Sequence, residues 1–531
     1  MERSGVTGRA GSAILRGGVW IGTMLRGEVV KRVGGPARAR VIALFGAVLA
    51  LNGADTATVG AVAPQLERAL HIGNTKIGLL SSIALLVGAV FTIPVGMLVD
   101  RAKRMPMLAI SIVLWSLASL LSAFAGSYSS LLLTRLVLGA VTATAGPAIA
   151  SLTGDYFPAS ERGRVYAYIL GGEIAGTAVG FTISGTVASL IDWRAAFVLL
   201  AIPGFFLARE LWRTVPEPLR GGQSRLQPGV ADLDQALAAA VSKAEDPDEP
   251  AADEQDLARE TVRQRGVEAD PRLVLNRDPG EMPLTMAVRY VLLIPTNVML
   301  IIGSSLGYFF LAGLQTFAVL FVRGHYHTSQ ATATLVLGAL VAGAMIGTLA
   351  SGRITDMMVR RGALEARTWI PAICYLGAAA LLVPGVLGSK LTPALWFDVG
   401  GAALLSAANP PLDAARLDIM PAGLWGRAES IRTVVRSLAQ ALAPLVFGAL
   451  SQLIAGILPE QTPVGTHADV ASAASAARGL EITFLIMLST LAAAGVFLGR
   501  ASHTYSEDVA TAAASQQRLA EAGARHQPAA G

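Results

Sequence analysis

Stretches of about twenty residues that are nearly all apolar recur along the whole of this chain, and twenty residues is what an α-helix needs to cross the hydrocarbon core of a bilayer. Twelve can be marked: Val41–Leu66, Ile77–Val99, Met105–Ala125, Ser129–Gly154, Arg164–Leu190, Arg194–Trp212, Pro295–Val322, Ala331–Thr355, Arg367–Leu387, Leu391–Ala415, Ser430–Leu458 and Leu480–Leu498. Charged residues make up only 15% of the chain and mean hydropathy is +0.54. The expected fold class is therefore an all-α membrane protein with twelve transmembrane helices.

The chain also repeats itself. Asp155–Arg164 reads DYFPASERGR and Asp418–Arg427, 263 residues on, reads DIMPAGLWGR, keeping Asp, Pro, Ala, Gly and Arg at the same internal spacing. A second echo, at an offset of 256, places Asp100 four residues after Gly96 and Asp356 four after Gly352, each followed by bases. Two echoes at nearly one offset predict duplicated halves, the arrangement of a secondary transporter. The expected organisation is a basic N-terminal segment (1–40), a six-helix half (41–213), an acidic linker (214–282), a second six-helix half (283–500) and a disordered tail (501–531).

Lys and Arg near helix ends set the expected orientation. The short loops after spans 2, 4, 8 and 10 hold Arg101, Lys103, Arg104, Arg162, Arg360, Arg361 and Arg427, whereas the loop after span 3 has no base and that after span 9 only Lys390. Both termini are thus expected in the cytoplasm, with the chain in the cell membrane. The net charge of +5 hides two compartments, because Gln223–Met282 holds 14 acidic and 7 basic residues. The basic excess elsewhere reads as attraction to anionic lipid, not to nucleic acid. Pro228–Asp278 looks too polar to bury a core and is expected to be a mostly mobile linker. Residues 1–40 lack the apolar core of a cleavable signal, and Ala13–Val33 reads either as a helix lying on the inner leaflet or as a disordered basic tail. The lone cysteine, Cys374, can form no internal disulfide.

Twelve spans, a long central loop and Gly96, Asp100, Arg101 and Arg104 after span 2 resemble the major facilitator superfamily, with Lys103 in place of the glycine usual between the bases. The resemblance implies a gate at the cytoplasmic side, in which Asp100 and its repeat mate Asp356 bridge helix ends while the bases meet lipid headgroups; a purely topogenic role for the bases is the other reading. Within the superfamily, Asn52-Gly-Ala-Asp55 with Pro64, LLLTRLVLGA with Arg135, and GDYFPASERGR with Gly176 and Gly180 resemble the Spinster-like lipid transporters. Thr142 stands where those members carry a glutamate. Organic anion symporters share similar Asp and Arg placements.

Charge at hydrocarbon depth is costly, which makes each such residue a functional candidate. Asp55 lies about 21 Å into span 1 and Arg135 about 9 Å from the outer end of span 4, so both belong to the outer half. They are expected to pair, with Asp55 responding to protons and Arg135 as its partner or as the anchor of an anionic substrate; a permanent structural ion pair is the competing reading. Glu173, about 14 Å along span 5, is the third coupling candidate, and the 263-residue offset sets Arg436 opposite it. The same offset sets Asp398 against Arg135. Arg135, Asp398, Arg436, Gln315, Gln440 and Tyr308 are the expected substrate-binding residues. His325 and His327 read as surface histidines. Gly172, Gly176 and Gly180, every fourth residue of span 5, permit close approach of another helix.

No HExxH, GxSxG, Walker A or Cys/His cluster occurs, so an enzyme or an ATP-driven pump is not expected, nor any cofactor or metal. The expectation is a monomeric, proton-coupled secondary transporter working by alternating access on an amphiphilic or anionic substrate such as a lysolipid. Efflux of drug-like compounds, symport of a small organic anion and a non-transporting receptor on the same fold are the alternatives.

Overall fold

A computed structural model gives the structure of the chain and describes residues 30, 33–157, 159–218, 226, 257–276, 282–421, 424–457 and 468–526. Sixteen helices are described: α1 Pro36–Leu70, α2 Asn74–Arg101, α3 Arg104–Ala123, α4 Tyr128–Thr142, α5 Ala145–Tyr156, α6 Ala159–Leu190, α7 Trp193–Thr214, α8 Leu257–Arg265, α9 Leu284–Leu293, α10 Pro295–Tyr326, α11 Gln330–Arg360, α12 Ala366–Leu387, α13 Leu391–Ala407, α14 Asn409–Asp418, α15 Trp425–Ile457 and α16 Ala468–His526. There is no strand among the described residues. Among the described residues eleven segments are long and apolar enough to cross a membrane, and the 32-residue α6, between α5 and α7, has the length for a further span. This is a multi-pass membrane protein.

Spans 4 and 10 are each two helices. The breaks fall at Ala143–Thr144, ahead of Pro147, and at Ala408, ahead of Pro410 and Pro411. A proline lacks the N–H that would continue the ladder, so the helix restarts there. Pro64 and Pro94, in contrast, sit inside unbroken helices. Local signals set other ends: Ser127 and Ser130 form a reciprocal cap on α4, and the Asp192 carboxylate accepts from Arg194 N at 2.8 Å.

The duplication is visible in side chains at the end of the bundle that carries Pro36 and the α16 C-terminus, called here the near end. Arg104 at the start of α3 donates to Asp155 at the end of α5, and Arg367 at the start of α12 donates to Asp418 at the end of α14. The spacing of 263 residues holds for both members. The first pair also engages Glu217, whose carboxylate takes Arg104 Nε at 2.9 Å and Met105 N at 2.7 Å. The second is closed by the Tyr505 hydroxyl, which donates to Asp418.

Two expectations are corrected. The tail from residue 501 is not disordered through its described length: it continues α16 to His526, with Tyr505 and Val509 fully buried. Nor is the described part of the linker a free tether. Ala258 and Val262 of α8 are buried in the same core as Tyr505 and Val509. The amides of Asp270 and Leu275 donate to Thr511 Oγ1 at 2.9 Å and Ser515 Oγ at 3.0 Å, and Arg518 donates to Asn276 at 3.0 Å. Each segment is too polar to bury a core alone, but each carries a short apolar stripe at helical spacing, and the two cover one another. The basic segment 1–29 and the acidic stretch 227–256 lie outside the described residues.

Candidate functional site

Asp55 on α1 and Arg135 on α4 form the expected pair, with Arg135 Nη1 3.3 Å from Asp55 Oδ1 and 3.2 Å from Oδ2. The pair does not open into the space between the halves. Arg135 lies 4.7 Å above the Phe197 ring and donates to Ser122 Oγ at 3.2 Å, while Leu51, Trp115, Ser116, Ser119 and Leu200 close around Asp55. Side-chain exposure is 2% for Arg135 and 8% for Asp55. In this arrangement Arg135 serves Asp55 and has no room for a substrate.

The second constellation spans the two halves. Glu173 on α6 takes a hydrogen bond from the Asn52 side chain and lies within the electrostatic reach of Arg436 on α15, as the repeat offset anticipates. Arg436 rests 4.9 Å above the ring of Tyr308 on α10, and its Nε is buried without a hydrogen-bond partner. No described carboxylate forms an ion pair with it, although its neighbours are all engaged. Arg416 binds Glu429 at 3.2 Å and also pairs with Asp413, and Arg432 Nε binds Glu429 at 2.8 Å. Asn52 and Glu429 were not singled out as site residues in the sequence, although the Glu-x-x-Arg spacing of Glu429 and Arg432 is that of facing residues on a helix.

Below this constellation, toward the near end, α1 and α6 frame a groove of about 370 Å³. Ala43, Gly46, Ala47 and Ala50 form one wall and Tyr168, Gly172 and Ala175 the other. The groove exists because small residues line it, and the two helices touch where Gly172, Gly176 and Gly180 abut the backbone of Gly46, Ala50 and Ala54.

At the far end the halves are sealed together. Asn74 Nδ2 donates to Ser451 Oγ at 3.0 Å, Thr75 Oγ1 to Gln452 at 2.7 Å, and Leu445 N to Ser82 Oγ at 3.1 Å. Among the described residues, every hydrogen bond between the halves lies at this end.

The remaining candidates separate. Gln315 and Gln440 are half-buried, and the Gln315 carbonyl packs on Gly60 in the far-end seam. Asp398 does not face Arg135; it is buried within its own half against Gly385. Arg104 is buried in the near-end ion pair described above. The side chains of Asp100, Arg101 and Asp356, and the surroundings of Gly96, lie outside the described residues. His325 departs from the expected surface histidine: its side chain is only 14% exposed, whereas His327 is exposed and caps α10 in a left-handed conformation.

A polytopic bundle of two repeated halves, hydrogen-bonded together at one end, with charged side chains between them, is the architecture of duplicated membrane transport proteins. The family model of the Major Facilitator Superfamily matches residues 45–444, and the chain belongs to that superfamily. A bacterial homologue of the human lysosomal transporter Spinster, solved in an inward-facing, occupied conformation, superposes with a TM-score of 0.67 at 20% identity, covering 89% of this chain and 98% of that one. The hexuronate transporter of Bacillus subtilis is 23% identical over 62% of this chain and 68% of its own length. Human protein spinster homolog 1 is 29% identical over 37% of this chain and 39% of its own. Most of the curated relatives are matched over less than half of their length. Fold and relatives are those of transporters, not of enzymes.

Proposed function

We propose that this protein is a proton-coupled secondary transporter of the cell membrane, with both termini in the cytoplasm, that moves an anionic amphiphile such as a lysolipid by alternating access. The observation that carries this reading is Arg436, a guanidinium between the halves that stacks on Tyr308 and forms no ion pair with a carboxylate among the described residues. Arg436 is half-buried, with a buried Nε that has no hydrogen-bond partner, and an incoming anion would relieve that cost. The groove lined by alanine and glycine reaches the depth of Asn52 and Glu173 at Ala50 and Ala175, on other faces of the same two helices. It spans about 17 Å along α1 from Ala39 to Ala50, a length and lining that suit an alkyl chain.

Asp55 and Glu173 are the proposed proton carriers. Protonating Glu173 withdraws the negative charge that competes with substrate for Arg436. Protonating Asp55 frees Arg135 inside the first half, a change in packing that the helices α1, α3, α4 and α7 share. The near-end residues Gly96, Asp100, Arg101, Arg104 and Asp356 are proposed to gate the cytoplasmic opening.

A second reading, transport of a small hydrophilic organic anion, is favoured by the Arg416, Arg432 and Arg436 cluster and by the hexuronate relative. Labelled lysophospholipid offered to the purified protein in liposomes, with and without a pH gradient, separates the two. Gradient-dependent movement lost in Asp55→Asn and Arg436→Gln supports the lysolipid reading. No movement in the parent protein sinks it and leaves the organic anion.

A further inference from the structure

His325, at the last turn of α10, is held on both ring nitrogens. Nε2 lies 2.8 Å from the carbonyl oxygen of Gly388, in the turn between α12 and α13, and Nδ1 lies 3.4 Å from Glu481 Oε2 on α16. The ring is stacked on Phe321, with centroids 5.0 Å apart, and meets Tyr326 edge-on at 4.6 Å. A carbonyl only accepts, so Nε2 must carry a hydrogen. Nδ1 then faces a carboxylate oxygen, and that contact is favourable only if a second proton sits between them, on the imidazole or on Glu481. A neutral ring beside an ionised Glu481 would set two lone pairs against one another.

We infer that His325 and Glu481 form a proton-binding site at the far end of the bundle, separate from the charges between the halves, and that its proton holds the far-end seal closed. Tyr326 lies on the same helix as His325, with its hydroxyl donating to the Gly385 carbonyl. Asp398 of α13 acts on Tyr326 through space. Glu481 comes from α16, where exposed Arg478 lies one turn earlier; the turn that supplies the Gly388 carbonyl also carries exposed Lys390, and Arg323 and His327 flank His325 on α10.

The consequence for the seal follows from where α10 lies. Its Gln315 carbonyl fills the space that a Cβ on Gly60 would need, so the far segment of α10 is part of the contact between the halves. The protonated site ties the end of α10 to α12 and α16 at once. Loss of the proton turns the Glu481 contact repulsive and frees that end. The contact needs the second proton, so the closed far end gains as pH falls and loses as pH rises. This rests on the alternating-access reading for its meaning in transport, but not for its test.

The test uses the full chain with Cys374→Ala in lipid nanodiscs, where both faces meet one buffer and orientation does not matter. Ser451→Cys is the reporter, because Ser451 is fully buried in the seal, and exposed Ser129→Cys in the same background corrects for the pH dependence of thiol reactivity. The ratio of maleimide labelling at the two sites is expected to rise about threefold or more between about pH 5.5 and 8. With His325→Gln, whose amide keeps a donor for Gly388, and with Glu481→Gln, the ratio should be independent of pH. An equal rise in parent and both variants, or a flat ratio in a parent that elutes as a monodisperse folded species, would overturn the inference. Such a failure would leave the lysolipid transport assay, and the reading it tests, untouched.

Discussion

Arg436 lies 4.9 Å above the ring of Tyr308, within the electrostatic reach of Glu173 of the opposite half. The aromatic face offsets part of the cost of holding a cation in this place, and the buried Nε, which has no hydrogen-bond partner, is left for a ligand to satisfy. Stacking of this kind contributes about 0.5–2 kcal/mol, or roughly two- to thirtyfold in an equilibrium. Tyr308→Leu is therefore expected to weaken lysophospholipid binding by a factor in that range, and Tyr308→Phe by much less. Tryptophan-quench titration of the purified protein checks both, and equal losses in the two variants would show that the ring face is not what matters.

The near-end ion pairs predict a stability signature. Arg367 and Asp418 are 14% and 7% exposed, and removing one member of a buried pair costs about 3–5 kcal/mol. Asp418→Asn and Asp155→Asn should each lower the melting temperature by several degrees in detergent. Arg360→Ala, at an exposed position, should change it little. Tyr505→Phe, which removes only the hydroxyl closing the second pair, should fall between.

Close approach of α1 and α6 depends on glycine. A Cβ on Gly176 would sit 1.9 Å from the Ala50 carbonyl oxygen, and on Gly180 2.5 Å from the Ala54 Cα. Gly176→Ala must push two backbones apart and should destabilise by about 1–3 kcal/mol. Gly171, where nothing lies within 4 Å, should accept alanine without loss. Thermal unfolding of the pair of variants decides the point.

Glu365 links the docked linker to the tail and gives that contact a pH dependence. Burial alone would push its carboxyl up, but hydrogen bonds from its own backbone, from Ser506 and from Arg265 outweigh burial and hold it below the ordinary value of 4.5. A carboxyl depressed on folding contributes stability that is present above its unfolded value and lost as pH falls through the folded one. Hydrogen exchange of residues 257–276, corrected for intrinsic rates, should therefore lose protection as pH drops below 4.5. Glu365→Gln should remove that step.

Length and hydropathy made the spans legible, and the repeat offset of 263 set Arg436 opposite Glu173, within whose electrostatic reach it lies. The same offset carried Asp398 to the wrong neighbour, because pseudo-symmetry relates positions in two halves without stating which face of a helix turns to the cavity. Asp55 and Arg135 were paired from depth alone, but depth does not tell an enclosed pair from one exposed to substrate, and here Phe197 and Trp115 enclose it. The docked linker and tail were missed because neither Ala258 and Val262 nor Tyr505 and Val509 make a convincing apolar face until the two segments meet. His325 lay at the end of an apolar run, and its burial depends on Phe321, Gly388 and Glu481, which converge from three separate segments.

The central claim, coupling of an anionic amphiphile to protons, is tested most directly by proton movement that the substrate itself triggers. The protein is reconstituted in liposomes holding a pH-sensitive dye, with no gradient imposed, and lysophospholipid is added outside. The account predicts a change in internal pH that begins with the addition, is abolished by Asp55→Asn, and falls at least about tenfold in initial rate with Glu173→Gln. Lysophospholipid uptake without any proton movement, or proton movement unchanged in both variants, would contradict it.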